Sequence, residues 1–129
     1  MFSHVHLGSN DVERARIFYD ALFAALGGEP GLRDTDRERY FYHHKGAMLI
    51  VGEPLDEKAA QPGNGITIGF AVEDAEQGNA WHAAGLAHGG TAVEDPPGAR
   101  DKGDRGRLYL AYLRDPDGNK LCALKWLDS

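Results

Sequence analysis

The chain has few of the features that define extracellular or membrane proteins. Cys122 is its one cysteine among 129 residues, so no disulfide can form within the chain. No apolar run approaches the roughly 20 residues that a membrane-spanning helix needs. The first residues also lack the basic and apolar regions of a signal peptide. These absences predict a cytoplasmic protein that does not insert into membranes.

Basic residues are also fewer than acidic ones. The chain has 14 Lys and Arg against 20 Asp and Glu, which gives a net charge of −6 with neutral histidines. An acidic surface argues against binding to nucleic acid or to anionic membranes, and no phosphate-binding glycine loop is present. If the protein binds a small ligand, this net charge favours a cationic one.

Glycine, by contrast, is abundant, with 17 residues, and its turn chemistry indicates many short elements. The composition, with 42% apolar and 26% charged residues, is that of one globular domain over residues 1–129. Within it the sequence repeats a pattern, because residues 4–27 fall over residues 67–90. We therefore expect two modules, one over about residues 1–60 and the other over about residues 61–129.

Each copy of the repeat contains the signals of one helix. Asn10 or Asp11 can cap the first helix and Asp74 the second, while Gly27 and Gly89 permit the positive φ that ends them. In the first helix the apolar positions recur at helical spacing, at Ala15, Phe18, Tyr19, Leu22 and Leu26. The second helix has a weaker apolar side, made of Trp81, Ala84 and Leu86. Both copies therefore predict a helix that covers a sheet.

Short runs typical of strands follow each helix. They cover residues 40–42 and 47–51 in the first module, and 91–93, 108–113 and 120–124 in the second. The last two runs flank Asp115–Gly118, which predicts a tight turn because proline fixes φ and glycine adopts the left-handed conformation. Residues 94–106 are predicted to be a polar loop. The order of strand, helix and several strands, repeated twice, predicts an α+β fold.

Alternation along the strands separates two faces of each predicted sheet. The helices should cover the apolar face of the repeat strand, which consists of Ile66, Ile68, Phe70 and Val72. His4 and His6 share the opposite face of the first strand, and Thr67 and Gly69 share it in the repeat. If the sheets curve, these side chains line a concavity.

The opening segment 4–11 with residues 15–19, and the closing segment 112–120, resemble the vicinal oxygen chelate superfamily. This superfamily includes glyoxalase I, extradiol dioxygenases and the bleomycin-resistance proteins. The resemblance implies two tandem βαβββ modules that form curved mixed sheets around a pocket, usually in a homodimer. It also implies a divalent metal, held by side chains from the first and last strands of each module.

The implied metal positions fall on residues that are only partly suited to bind a metal. The resemblance places His4 at the first position, and about Ile50, Thr67 and Cys122 at the other three. His4 and Cys122 could bind an ion, for which zinc is favoured because sulfur is a soft ligand. A catalytic metal usually needs about three protein ligands, so the sequence predicts a depleted site in which a bound metal stays an open alternative.

Two functions remain open. An enzyme resembling the lyases or dioxygenases of the superfamily would act on a small organic molecule in the pocket and would use Tyr112 or His6 to transfer a proton. A protein of the bleomycin-resistance type would instead sequester its ligand without metal or chemistry. Either function predicts a pocket lined by His4, His6, Met48, Ile50, Thr67, Gly69, Tyr112 and Cys122. The basic residues Arg100, Lys102, Arg105 and Arg107 either hold an anionic group such as a carboxylate or belong to a solvated loop with Asp101 and Asp104.

Overall fold

The strands and helices follow the predicted repeat in a computed structural model that describes residues 1–128. The first unit consists of β1 (His4–Gly8), α1 (Val12–Ala25), β2 (Leu32–Arg33), β3 (Arg39–His44) and β4 (Ala47–Gly52). The second consists of β5 (Ile68–Ala71), α2 (Ala75–Ala87), β6 (Thr91–Ala92), β7 (Gly98–Asp101), β8 (Arg107–Arg114) and β9 (Lys120–Asp128). The predicted α+β fold of two βαβββ units is confirmed, with β7 as an additional strand in the second unit.

Strand β7 and the 3-10 turn Gly103–Arg105 lie in the segment that was predicted to be a polar loop, so that prediction was wrong. The strand carries almost no apolar side chains, and backbone pairing with β8 holds it in place. A pattern of side chains does not reveal a strand that is stabilised in this way.

The two sheets have matching topologies. The first has the order β1-β4-β3-β2, and the second has the order β5-β9-β8-β6 with β7 also paired to β8. In each sheet the first strand runs parallel to the last, β1 beside β4 and β5 beside β9, and the other pairs are antiparallel. The final hairpin of β8 and β9 forms as predicted, with Gly118 at φ 92° in its turn.

Equivalent aspartates begin the two helices. The Asp11 carboxylate accepts a hydrogen bond from the backbone N–H of Arg14 at 3.0 Å, and the Asp74 carboxylate accepts one from Gln77 at 2.8 Å. Asn10, the alternative cap, instead exchanges hydrogen bonds with the backbone of Ala60, at 2.7 and 3.1 Å. It therefore fastens the connection between the two units to the start of α1.

One hydrophobic core joins the helices to one face of each sheet. We call the helix-side face of each sheet its inner face and the opposite one its outer face. Members of the core include Leu7, Leu49 and Val51 from the first sheet, Leu113, Leu121 and Ala123 from the second, and Phe18, Tyr19, Leu22 and Trp81 from the helices, and the partly buried Val5 and Phe70 pack against it. Two residues predicted for the apolar faces are exposed instead, Ile66 by 56% and Leu86 by 45%. Ile66 precedes β5, and Gly85 rather than Leu86 packs against α1.

Polar contacts also fasten the β8–β9 turn to the first unit. The Tyr19 hydroxyl donates to the buried Asp115 carboxylate at 2.5 Å, and the Asn119 amide donates to the carbonyl of Gly8 at 3.1 Å. Asp117 accepts hydrogen bonds from the Arg14 guanidinium and the backbone N–H of Asn10, both at 2.8 Å. These contacts fix the second sheet relative to β1 and α1. No helix within residues 1–128 is long and apolar enough to cross a membrane.

Candidate binding faces of the two sheets

The outer face of the first sheet presents histidines beside apolar side chains. His4 pairs with Met48 and His6 pairs with Ile50 across the parallel ladder of β1 and β4. Both imidazoles are exposed, whereas Ile50 is buried. His4 Nδ1 shares a hydrogen bond of 2.8 Å with the Ser3 hydroxyl. Four of the eight predicted pocket residues therefore lie together on this face.

Burial, together with positive neighbours, lowers the pKa of His6. Burial lowers the pKa of this imidazole first, and the charges of Arg39, Arg37 and His4 lower it further. Arg39 itself pairs with the Asp34 carboxylate at 2.5 Å. His6 is therefore neutral at pH 7, and its ring can accept a hydrogen bond or a proton.

The outer face of the second sheet carries an apolar surface. Leu108, Leu110 and Cys122 form a buried cluster that is distinct from the main core, and Tyr112 and Leu124 pack against it. We call these five residues the aliphatic floor. Tyr112 pairs with Cys122, which pairs with Gly69 on the next strand. A Cβ atom added to Gly69 would lie 3.5 Å from Cys122 Sγ, so the glycine leaves this edge of the floor open.

The polar groups of the floor stay in their neutral forms at pH 7. Burial, followed by the nearby Glu94 carboxylate, raises the pKa of Tyr112. Burial also raises the pKa of the Cys122 thiol. The Lys120 ammonium lies 5.0 Å from the centre of the Tyr112 ring and forms an ion pair with Glu94. Tyr112 can therefore donate a hydrogen bond to an oxygen of a ligand, whereas Cys122 is a weak nucleophile.

The predicted pocket residues fall into two groups. His4, His6, Met48 and Ile50 belong to the first sheet, whereas Gly69, Tyr112 and Cys122 belong to the second, and no ladder joins the two sheets. Thr67 is exposed just before β5. The two groups approach each other at a cleft of about 250 Å³ that Met48 and Gly69 line together with Val5, Ile68 and Phe70. This cleft opens between β1, β4 and β5 and reaches inner-face side chains.

The donors at the implied metal positions do not fit a metal centre within one chain. Among the described side chains, those of residues 1–127, no three His, Cys, Asp or Glu form a group that could hold an ion. His4 and Cys122 lie in different sheets, and Met48 rather than Ile50 is the ladder partner of His4. Methionine, isoleucine and threonine supply no strong ligand for zinc.

Sequence reasoning missed most of the aliphatic floor. In the sequence, Leu108, Leu110 and Leu124 are ordinary strand residues, because a single sequence does not show which face of β8 and β9 the helices cover. Alternation from Tyr112 would have indicated Leu108 and Leu110 once the facing of Tyr112 was known.

The fold and these two outer faces define a class of α+β proteins with paired βαβββ units. The family model of the Glyoxalase/Bleomycin resistance protein/Dioxygenase superfamily matches residues 1–123, and the chain belongs to this family. The predicted family resemblance is therefore confirmed.

Solved structures of other family members agree with this assignment. A glyoxalase/bleomycin resistance protein from Albidiferax ferrireducens T118 is 52% identical, with a TM-score of 0.88 over 96% of this chain and 97% of that one. A lactoylglutathione lyase from Agrobacterium tumefaciens is 19% identical, with a TM-score of 0.65 over 96% of this chain and 92% of that one, and it supports the fold alone. Among curated proteins, none gives a significant match.

Proposed function

We propose that this protein binds a small organic molecule on the aliphatic floor, without a resident metal. The observation that carries the proposal is the apolar cluster of Leu108, Leu110 and Cys122, which lies on the side of the sheet away from the helices. Ligand sites combine such apolar surfaces with a few polar groups that orient the ligand. Tyr112 supplies one of these groups, because its raised pKa keeps the hydroxyl protonated.

We further propose that a homodimer covers the outer faces. Leu32 pairs with Phe41 at one end of the first sheet, and Trp126 pairs with Leu108 at one end of the second. Leu32 is 61% exposed and Trp126 is 52% exposed, and exposed apolar side chains beside an apolar surface are typical of a protein–protein contact. Sedimentation of the wild type and of Trp126→Ser tests this: a monomeric wild type would refute the dimer. The cytoplasmic location stays a prediction.

Substitution of Gly69 tests the site itself. Gly69→Leu should fill the open edge of the floor beside Cys122, so a ligand found by screening should bind at least about tenfold more weakly, since its body would lose this space. Ala24→Leu, at an exposed position of α1, is the matched control and should bind normally. Calorimetric titration gives both affinities. Equal affinity of Gly69→Leu and wild type would contradict a site on this face.

Elemental analysis tests the metal-free character. Protein purified without a histidine tag and incubated with zinc, nickel, manganese or iron should retain no stoichiometric metal. Retention of one ion per chain, lost in His4→Ala, would overturn this part of the proposal and favour the enzyme.

A metal-independent lyase or isomerase is the second candidate. It is favoured by the complementary states of two groups, the neutral imidazole of His6 and the protonated hydroxyl of Tyr112. These groups can act as base and acid if a dimer brings the two outer faces together. Turnover of a bound compound, lost in both His6→Gln and Tyr112→Phe while binding persists, would support catalysis. Binding without turnover would support sequestration.

A further inference from the structure

Arg100 holds its guanidinium over the outer face of the second sheet. It lies on β7 and pairs with Leu108, while Gly98 on the same strand pairs with Leu110. A Cβ atom added to Gly98 would lie 3.6 Å from Arg100 Nη1, which places the guanidinium above this glycine and beside Leu110. The charged group therefore borders the aliphatic floor.

Backbone carbonyls fix the orientation of this guanidinium. Nη1 donates to the carbonyl of Gly98 at 3.0 Å, and Nη2 donates to those of Pro96 at 3.0 Å and Asp95 at 3.3 Å. Arginine has five N–H donors, so these bonds leave donors available to another acceptor. Such an arrangement is more ordered than that of a solvated surface arginine, and of the two roles open for this segment it favours anion binding for Arg100 alone.

The positive charge of Arg100 is not neutralised within the described part of the chain. Arg14, Arg16, Arg33 and Arg39 each form an ion pair with a carboxylate, whereas Arg100 forms none with the described side chains of residues 1–127. The carboxylate of the adjacent Asp101 accepts a hydrogen bond from the backbone N–H of Gly103 at 2.8 Å. Carbonyl oxygens orient a cation without cancelling its charge, so an anion placed here would be attracted.

The dimensions of the floor suit a ligand with one charged end. Cys122 lies two strands away from Gly98 and about two residues along the strand direction, which corresponds to a span of about 12 Å. Burial and the Glu94 carboxylate raise the pKa of Tyr112, and Arg100 is the weakest of the groups that act on it. A body of one aromatic ring or a short alkyl chain would match this span.

We propose that Arg100 binds the carboxylate of an amphipathic organic anion whose apolar body lies on the aliphatic floor. The proposal rests on the proposed small-molecule function and names its ligand class. It reverses the preference for a cationic ligand that net charge indicates, because the local charge at the floor differs from that of the whole chain. A planar guanidinium matches the geometry of a carboxylate better than that of a neutral or cationic group.

Three probes test whether the ligand must carry a negative charge. They share a phenyl ring on a three-carbon chain and differ in their end group: 3-phenylpropanoate, 3-phenylpropanamide and 3-phenylpropylamine. Their affinities for the wild type are measured by NMR titration of backbone amides. The acid should bind at least about tenfold more tightly than the amide or the amine, since hydrogen bonds between ionised partners are the stronger ones. Equal binding of all three probes would overturn the proposal.

Arginine variants test the residue. Arg100→Gln should weaken binding of the acid by about 10- to 100-fold and leave the amide unchanged, while Arg100→Lys should be intermediate because it keeps the charge without the planar fork. Arg105→Gln is the matched control, because Arg105 is exposed on the same segment, and it should bind within about twofold of wild type. Acid binding unaffected by Arg100→Gln would refute the inference.

The two proposals fail in different ways. If all three probes shift the NMR signals of the Leu110 and Cys122 backbone amides equally, whatever the charge of the probe, the role of Arg100 is refuted and the small-molecule function stands. Absence of any shift at those amides, with all three probes, would contradict both. Circular dichroism of each variant establishes that a loss of binding is not a loss of fold.

Discussion

Among the tyrosine hydroxyls of this protein, loss of the Tyr19 hydroxyl should lower the free energy of unfolding the most. This hydroxyl donates a buried hydrogen bond to Asp115. Tyr19 is fully buried, and Asp115 is only 4% exposed. The carboxylate accepts four hydrogen bonds, from Tyr19 Oη at 2.5 Å, from the Asn119 amide at 2.9 Å, and from the backbone N–H groups of Asp117 and Asn119, both at 2.9 Å. Tyr19→Phe deletes one of these donors and keeps the ring.

The expected magnitude follows from the burial of the acceptor. A hydrogen bond to a charged group contributes about 1.5–3 kcal/mol, and a buried carboxylate cannot replace its lost donor with bulk water. We therefore expect Tyr19→Phe to lower the free energy of unfolding by about 2–3 kcal/mol. Tyr40→Phe is the matched control, because the Tyr40 hydroxyl donates to Glu13, whose side chain is 60% exposed. Water can solvate that carboxylate, so the control should cost less than about 1 kcal/mol.

Urea denaturation, followed by circular dichroism and by tryptophan fluorescence, measures both changes. With the usual dependence on urea, the midpoint for Tyr19→Phe should fall by about 1–2 M at an unchanged slope. Equal losses for the two variants would refute the reasoning, since burial of the acceptor would then have no influence. A changed slope would show that the substitution altered the compactness of one state, and it would disqualify this comparison.

Other measurements address the two sheets separately. Cys122 should be alkylated more slowly in the native protein than in urea. In the native protein its alkylation rate should rise only at a higher pH than that of an ordinary thiol, because burial raises its pKa. Equal alkylation rates with and without urea would contradict a buried thiol. In an NMR titration His6 should gain its proton below its ordinary pKa of 6.5, so it contributes stability that is lost as the pH falls from 6.5 through this lowered pKa. Arg39→Gln should move that pKa upward, and an unmoved pKa would rule out the proposed repulsion. Gly78→Ala places a Cβ atom 2.2 Å from the buried Tyr109 ring and should lower the free energy of unfolding by about 1–3 kcal/mol. Gly69→Ala places its Cβ atom 3.5 Å from the nearest atom and should have little effect. Similar denaturation midpoints for the two variants would contradict this difference in packing.

Local signals account for the parts of the fold that the sequence predicts. Asp11 and Asp74 begin helices because short acidic side chains satisfy free backbone N–H groups, and this chemistry acts within three residues. Pairing over long distances leaves no such local signal. Asn10 is a good cap by sequence, but the backbone of Ala60 occupies its side chain, and nothing near either residue indicates that contact.

The candidate site shows the same division. Alternation correctly places His4 and His6 on one face of β1, because the direction of successive side chains is a property of the strand itself. The register between strands is not, and Met48 rather than Ile50 lies beside His4. The arrangement of the two sheets depends further on how the helices pack, so the sequence did not indicate that Cys122 and His4 belong to sheets without a common ladder.

Divergence between the two copies of the repeat leaves a position open on the second sheet that a side chain fills on the first. His6 falls over Gly69 in the repeat, and each pairs with the last strand of its unit, His6 with Ile50 and Gly69 with Cys122. The His6 imidazole in the first sheet therefore corresponds to the absent side chain of Gly69 in the second. The branched alkyl group of Ile50 corresponds to the Cys122 thiol. Strand β7, which supplies Arg100, has no counterpart in the first unit. The second sheet thus combines this open position with an arginine that has no carboxylate partner among the described side chains of residues 1–127, and this combination favours a ligand with one anionic end.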